Sequence, residues 1–212
     1  MLRSDIDSFL ASIPKDVKVV AATKYVDSNL MLELYKHGVK DFGENRVDSF
    51  LKKYNELYLY QDIKWHFIGH LQRNKCKDII NKIDVLHSLD SIDLAKMIDK
   101  YRTKPLDTFI EVSINLEENK NGVNFNNIEE FLKEVLKYKN INIVGFMMMA
   151  IKNDTEDDLA NQFKRLNDLR NEMENKLNIK LPYLSMGMSD DYKIDIKEGA
   201  THIRLGRILW NL

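Results

Sequence analysis

Apolar and polar positions follow two alternating rhythms along this chain. Short apolar runs such as Val19-Val20-Ala21-Ala22 and Trp65-His66-Phe67-Ile68 read as strands. Between them, apolar residues recur every three or four positions, the spacing of a helix face. The first helix, over 4–12, aligns Ile6, Phe9, Leu10 and Ile13 and ends at Pro14. A strand over 19–25 follows, and Ser28 is expected to cap a helix carrying Leu30, Met31, Leu34 and Tyr35, closed by Gly38. Strands are then predicted over 41–45, 65–69 and 85–88. The helices between and after them run through Val47 to Tyr54, over 74–82, and from a Ser91 cap through Ile98. The second half repeats the pattern, with strands over 108–114, 141–148, 182–186 and 201–206. Its helices run through Ile128 to Val135, over 155–177 and over 190–198, and a polar loop passes through Asn121-Gly122.

Strands alternating with helices imply a parallel sheet with helices outside it. Val19 to Ala22 supports this, because strands of parallel sheets are buried on both faces and read as continuous apolar runs. Eight such units close into a barrel. The expected fold is α/β: a single (β/α)8 TIM barrel with an extra N-terminal helix, one domain over residues 1–212. A doubly wound open sheet is the rival, and it would normally bind a dinucleotide at a glycine-rich first turn. The first turn here, Thr23-Lys24-Tyr25-Val26-Asp27-Ser28, holds no glycine.

Composition narrows the partners. The 212 residues carry 32 basic and 33 acidic side chains, so no basic excess is available to neutralise a nucleic acid backbone. A single cysteine, Cys76, excludes an intrachain disulfide and a cysteine-clustered metal site, and suits a reducing compartment. The N-terminus has no apolar signal core, and no apolar run approaches the ~20 residues of a membrane span. The chain is expected to be cytoplasmic, with no membrane and no nucleic acid among its partners.

Chemistry in such barrels gathers where strands end at their C-terminal side. Those ends carry Lys24, Asn45, Gly69-His70, Ser88, Asn115, Met147-Met148, Ser185 to Ser189, and Arg204 to Arg207. His66, His70 and His87 are spread over two strand regions and read as packed or hydrogen-bonded groups rather than zinc ligands. Lys24, just past a buried strand, can be a solvated lysine or an amine that forms an imine with a carbonyl. Two segments suit a phosphate: Ser185-Met186-Gly187-Met188-Ser189-Asp190-Asp191, which leads into a helix, and Leu205-Gly206-Arg207. Taken singly, Ser189 is an ordinary N-cap and Gly206 an ordinary turn. Together with Lys24 they describe a phosphorylated aldehyde held at both ends, which is what pyridoxal 5′-phosphate requires.

Several ordered motifs resemble those of the pyridoxal phosphate homeostasis proteins along essentially the whole chain. They are Val20-Ala21-Ala22-Thr23-Lys24, Phe42-Gly43-Glu44-Asn45-Arg46, Trp65 to Lys75 with its His66-Phe67-Ile68-Gly69-His70 core, His87-Ser88-Leu89-Asp90-Ser91, Ser185 to Asp191, and Ile203-Arg204-Leu205-Gly206. The resemblance implies a barrel similar to that of alanine racemases. It implies pyridoxal phosphate held on Lys24 as an aldimine, in the service of vitamin B6 homeostasis. By that resemblance Arg204 faces the pyridine nitrogen, and Ser189, Gly206 and Arg207 bind phosphate, the last two through backbone amides. Asn45 lies beside the ring, and Met147 and His66 line the pocket. Arg207 stands where the family often has threonine, and Met147-Met148-Met149-Ala150 replaces a segment that usually contains proline.

Two absences bear on mechanism. Arginine is a permanent cation without an acceptor, so opposite the ring nitrogen it leaves that nitrogen unprotonated and the ring a weaker electron sink. A racemase needs a second base on the other face of the α-carbon. In alanine racemases, by the resemblance, that base is a tyrosine from a second domain, which this sequence is not expected to supply. The expected role is a carrier and regulator acting as a monomer, with pyridoxal-phosphate-dependent apoenzymes as acceptors. The alternatives are a pyridoxal-phosphate-dependent amino-acid racemase and a cofactor-free class I aldolase.

Overall fold

The alternation begins at β1 (Lys18–Ala22) and ends at β9 (His202–Leu205), and these first and last strands pair with each other. The computed structural model describes residues 1–114, 122–151 and 155–211. A short helix, α1 (Ile6–Ala11), precedes β1. Then follow α2 (Ser28–Lys36), β2 (Asp41–Glu44), α3 (Val47–Glu56), β3 (Lys64–Phe67), α4 (Cys76–Ile79), β4 (Val85–Leu89) and α5 (Ile92–Tyr101). The second half comprises β5 (Leu106–Ser113), β6 (Val123–Asn124), α6 (Ile128–Val135), β7 (Ile141–Met147), α7 (Glu156–Leu177), β8 (Tyr183–Ser185), α8 (Tyr192–Lys197) and β9.

The strand order β4-β3-β2-β1-β9-β8-β7-β5 is closed by a further β4–β5 pairing, and the pairings are parallel. Of the nine strands among the described residues, β6 pairs only with the C-terminal end of β5, so the ring itself has eight and is the expected barrel. Closure gives every strand of the ring a neighbour on both sides. The helices lie outside because each presents one apolar stripe: Leu94, Ala95 and Ile98 on α5, Ile128, Leu132 and Val135 on α6, and Phe163, Leu166, Leu169 and Met173 on α7. These side chains join the main core between sheet and helices. Burying each of the larger side chains contributes roughly 1.5–3 kcal/mol, which anchors the helices whose loops form the barrel mouth. Among the described residues, no helix is long and apolar enough to cross a membrane.

Three elements differ from the sequence reading. The α2 cap is Asp27, whose carboxylate accepts from the Leu30 amide at 3.0 Å; Ser28 is the first helical residue and donates to Glu56 instead. The helix expected over 74–82 is only α4, entered through a 3-10 turn at Arg73–Lys75. Asn81 draws the chain out of helix there, bonding the Tyr101 carbonyl at 2.8 Å and the Thr103 amide at 3.1 Å. The two-residue β6 follows the polar loop and is too short to carry a pattern of its own. Thr155 does cap α7, in a capping box closed with Asp158.

The interior of the ring is divided. Phe109, Val144 and Met147 form a small apolar cluster against Val85. Around it lie buried polar groups from other strands: His66 on β3, His87 on β4, Ser185 on β8, and His202 and Arg204 on β9. A polar barrel interior is expensive unless its groups are bonded; here His66, His87, Ser185 and Arg204 bond one another, and His202 bonds the Thr201 hydroxyl.

Candidate cofactor-binding site

Lys24 follows the buried residue Thr23, which is held from three directions. Its amide donates to the Gly43 carbonyl at 3.0 Å, its hydroxyl to Glu44 Oε1 at 2.6 Å, and its carbonyl accepts from Lys53 Nζ at 2.6 Å. Lys53 also pairs with Glu44, and both side chains are almost wholly buried. Removing one partner of such a pair strands a buried charge, at a cost of about 3–5 kcal/mol. This clamp fixes the strand end and leaves the next residue, Lys24, exposed. The Lys24 ammonium lies 4.8 Å from the Tyr25 ring centroid. Hydrogen bonding from Lys24, helped by its charge, pulls the Tyr25 phenol below its usual range.

Asn45 ends β2. Its Oδ1 is buried and has no hydrogen-bond partner. Gly69 makes room for it: a Cβ at residue 69 would lie 2.3 Å from the Asn45 carbonyl oxygen and 2.6 Å from its Cα. The Ser88 hydroxyl holds the same turn by donating to the Gly69 carbonyl at 2.6 Å. Gly69→Ala is expected to destabilise the protein by about 1–3 kcal/mol, because backbone rather than a flexible side chain must shift. A thermal melt of the variant checks this.

The two proposed phosphate segments meet. Ala21 of β1 pairs with Leu205 of β9, so the loops after these strands leave the barrel side by side. Ser189 Oγ accepts from the Gly206 amide at 3.3 Å and the Ile208 amide at 3.4 Å. Ser189 is therefore not a helix cap; Asp191 occupies that position, and its carboxylate accepts from the Met188 amide at 2.5 Å. Gly187 turns the loop with φ +92°, and its carbonyl accepts from the Arg204 amide at 2.9 Å. A Cβ at Gly206 would meet nothing nearer than 3.8 Å, so packing within the protein does not itself require glycine there. The Arg207 guanidinium pairs with Asp190 at 2.7 Å in solvent, leaving only its backbone for the cradle. The Ile208 amide was not legible in the sequence, because backbone groups carry no residue signature.

Arg204 alternates with the buried Ile203 and Leu205 and is itself buried. It donates to Ser185 Oγ at 2.7 Å and to the Met148 carbonyl at 2.9 Å. Burial lowers its basicity, and Asp195, Glu111 and Asp191 oppose that. Burial pushes Glu111 up to about 7, with Asp90 adding to the effect. Asp195 is pushed up to about 9 by burial and then by Asp191.

Not every expected residue joins this group. Met147 lies in the apolar cluster inside the ring, and its neighbour Met148 supplies the contact to Arg204 through its carbonyl. His66 belongs to the opposite end. It lines a cavity of about 220 Å³ with Asp16, Lys18, Asp107, Tyr183 and His202, residues at strand beginnings, and its Nε2 bonds Asp41 at 2.8 Å. Asn115 lies outside the described residues. His70 bonds Asp90 at 2.9 Å, and His87 bonds His66 and Ser185 at 2.8 Å each.

These observations define a closed parallel (β/α)8 barrel with an exposed lysine after β1, a serine-and-amide cradle in the loops after β8 and β9, and a buried arginine on β9. Residues 2–212 match the family model for the alanine racemase N-terminal domain. The pyridoxal phosphate homeostasis protein of Aquifex aeolicus is 40% identical over 196 residues, covering 91% of this chain and 86% of the relative. The chain belongs to the pyridoxal phosphate homeostasis protein family. PipY of Synechococcus elongatus PCC7942, solved with PLP bound, superposes with a TM-score of 0.90 at 28% identity, covering 97% of this chain and all of PipY. Alanine racemase of Corynebacterium glutamicum shares the fold, with a TM-score of 0.77 at 14% identity, and this chain covers 59% of it.

Proposed function

We propose that this protein binds pyridoxal 5′-phosphate covalently through Lys24 and serves its intracellular homeostasis without a turnover reaction of its own. The observation that carries the reading is a buried, unpartnered Asn45 Oδ1 and open space at Gly206, in the loops after β2 and β9, the two strands that pair with the strand leading to Lys24. The name of the Aquifex aeolicus relative and the PLP bound to PipY support it. When bound, the cofactor supplies an aldehyde that condenses with an amine and a ring that withdraws electrons.

Each residue then has a task. Lys24 offers the amine from an exposed position. Ser189 and the amides of Gly206, Arg207 and Ile208 hold the phosphate, and Asn45 takes the ring hydroxyl. Arg204 presents N–H donors and no acceptor, so it holds the ring nitrogen as an acceptor and prevents its protonation. Met147 packs below this group, while His66 acts from the far end of the barrel.

The racemase alternative needs an acid–base group on each face of the α-carbon, and losing one positioned group costs ~10²–10⁴-fold. Lys24 can serve one face. Tyr25 is in the same loop, under the Lys24 ammonium, and so shares its side. Tyr25 and Met149 are also exposed at the mouth, which favours access by water or an acceptor apoenzyme over a sealed reaction chamber. The protein acts in the cytoplasm as a monomer. The test is incubation of the loaded protein with L-alanine in D₂O. The expected result is no useful α-deuteration; rapid exchange with D-isomer formation, lost in Lys24→Ala, overturns the reading in favour of a racemase.

A further inference from the structure

Five side chains from five strands form one continuous hydrogen-bonded line through the barrel. Arg204 Nη1 donates to Ser185 Oγ at 2.7 Å, Ser185 Oγ lies 2.8 Å from His87 Nδ1, His87 Nε2 lies 2.8 Å from His66 Nδ1, and His66 Nε2 lies 2.8 Å from Asp41 Oδ1. The line begins beneath the mouth and ends at the first residue of β2, beside the cavity on the opposite face.

The ends fix its direction. Arginine can only donate, so Ser185 Oγ accepts from it and has its own hydrogen to give. Asp41 can only accept when ionised, and its carboxyl is held low: burial acts to raise it, but the hydrogen bond from His66 and the charge and hydrogen bond of Lys18 outweigh that. His87 is wholly buried and neutral, its basicity suppressed by burial and by His66, His202 and Arg204. With one proton per group, a single pattern satisfies all the bonds: Ser185 to His87 Nδ1, His87 Nε2–H to His66 Nδ1, and His66 Nε2–H to Asp41. Both imidazoles are then Nε2–H tautomers, and the chain runs from a permanent cation to an anion. Chains of hydrogen bonds polarise one another in such low-dielectric surroundings. Arg204 is left with Met148 as its other anchor.

We propose that Ser185, His87, His66 and Asp41 are positioning residues for Arg204, a relay that holds the guanidinium in register and brings the Asp41 charge to bear on it from the opposite face. The other titratable groups facing the relay are Lys18 at Asp41, His202 beside both imidazoles, and Asp195, Glu111 and Asp191 around Arg204. The ring of His87 also stacks on Phe109, 4.5 Å between centroids and 27° apart, so His87→Phe keeps the packing and deletes both nitrogens.

This inference rests on the proposed cofactor reading for its consequence but not for its existence, and two measurements separate them. Long-range ¹H–¹⁵N spectra of histidine-labelled, cofactor-free protein at neutral pH should show Nε2–H tautomers at His66 and His87; an Nδ1–H tautomer at His87 overturns the relay. The second measurement adds pyridoxal phosphate to the wild type, Asp41→Asn and His87→Phe. Both variants should shift the pH midpoint of the near-visible band by about half a unit or more, and Asp41→Glu should restore it. A merely structural Asp41 would lower the melting temperature and leave that midpoint unmoved, which also overturns the proposal. If His87→Phe does not fold, Asp41→Asn and the tautomers decide. If the wild type shows no near-visible band, the cofactor reading fails while the tautomers still test the relay.

Discussion

Lys24→Ala should abolish covalent cofactor attachment and leave the fold unchanged. Wild-type protein incubated with pyridoxal phosphate should show a near-visible absorbance band, and borohydride should fix the cofactor on the peptide containing Lys24. The variant should show neither. Its stability should stay within about 0.5 kcal/mol of the wild type, because the Lys24 side chain is exposed and its neighbour Thr23 carries the structural bonds. Lys53 sharpens the test. It is the other lysine at this strand end, but it is buried and tied to Glu44 and the Thr23 carbonyl. Lys53→Ala should therefore lower stability by about 3–5 kcal/mol. Label on Lys53 or Lys75, with Lys24→Ala still coloured, would refute the assignment.

The second large effect concerns stability against pH. Asp195 is buried beneath the 185–189 loop, where its carboxyl oxygens have no well-formed hydrogen-bond partner among the described residues and a Cβ on Gly187 would lie 2.7 Å from Oδ2. Its carboxyl is pushed up to about 9 in the folded protein, while an unfolded chain releases that proton near 4. Between those values the folded state holds a proton that the unfolded state has lost, so stability falls as pH rises. Glu111, pushed up to about 7, contributes in the same sense but only across the lower part of the window. From pH 7 to 9 the Asp195 contribution alone amounts to about 2–3 kcal/mol, at 1.36 kcal/mol per unit. Asp195→Asn keeps the shape and cannot ionise. Denaturant titrations should show the wild type weakening across this interval and the variant changing far less, with the two similar at pH 5. Parallel curves for the two proteins would show that Asp195 is ionised in the fold.

The barrel was legible in the sequence because its signals are local. Apolar runs such as Val19 to Ala22 and stripes such as Leu94, Ala95 and Ile98 depend on neighbours a few residues away, and burial of one strand face or one helix face follows from their period. Lys24, Ser189 and Gly206 were legible for the same reason: each lies in a loop that follows a strand, and the βα alternation sends every such loop to one face.

What sequence alone did not decide is depth and partnership. Strand period indicates that the side chain of His66 points into the barrel, but not how far along the axis it lies. Register decides that: His66 pairs with Gly43 and Val85, which sets its ring over Asp41 at the far end rather than in the mouth. The Lys53–Glu44 clamp was hidden because a lysine in an amphipathic helix reads as solvated until the helix is rotated onto its strand. The relay was hidden more deeply, since Ser185 and His87 stand 98 residues apart and meet only across the closed ring. Local pattern thus determined which residues face the interior and which loops share the mouth. Only closure and register, which are properties of the whole sheet, determined which buried polar groups satisfy one another.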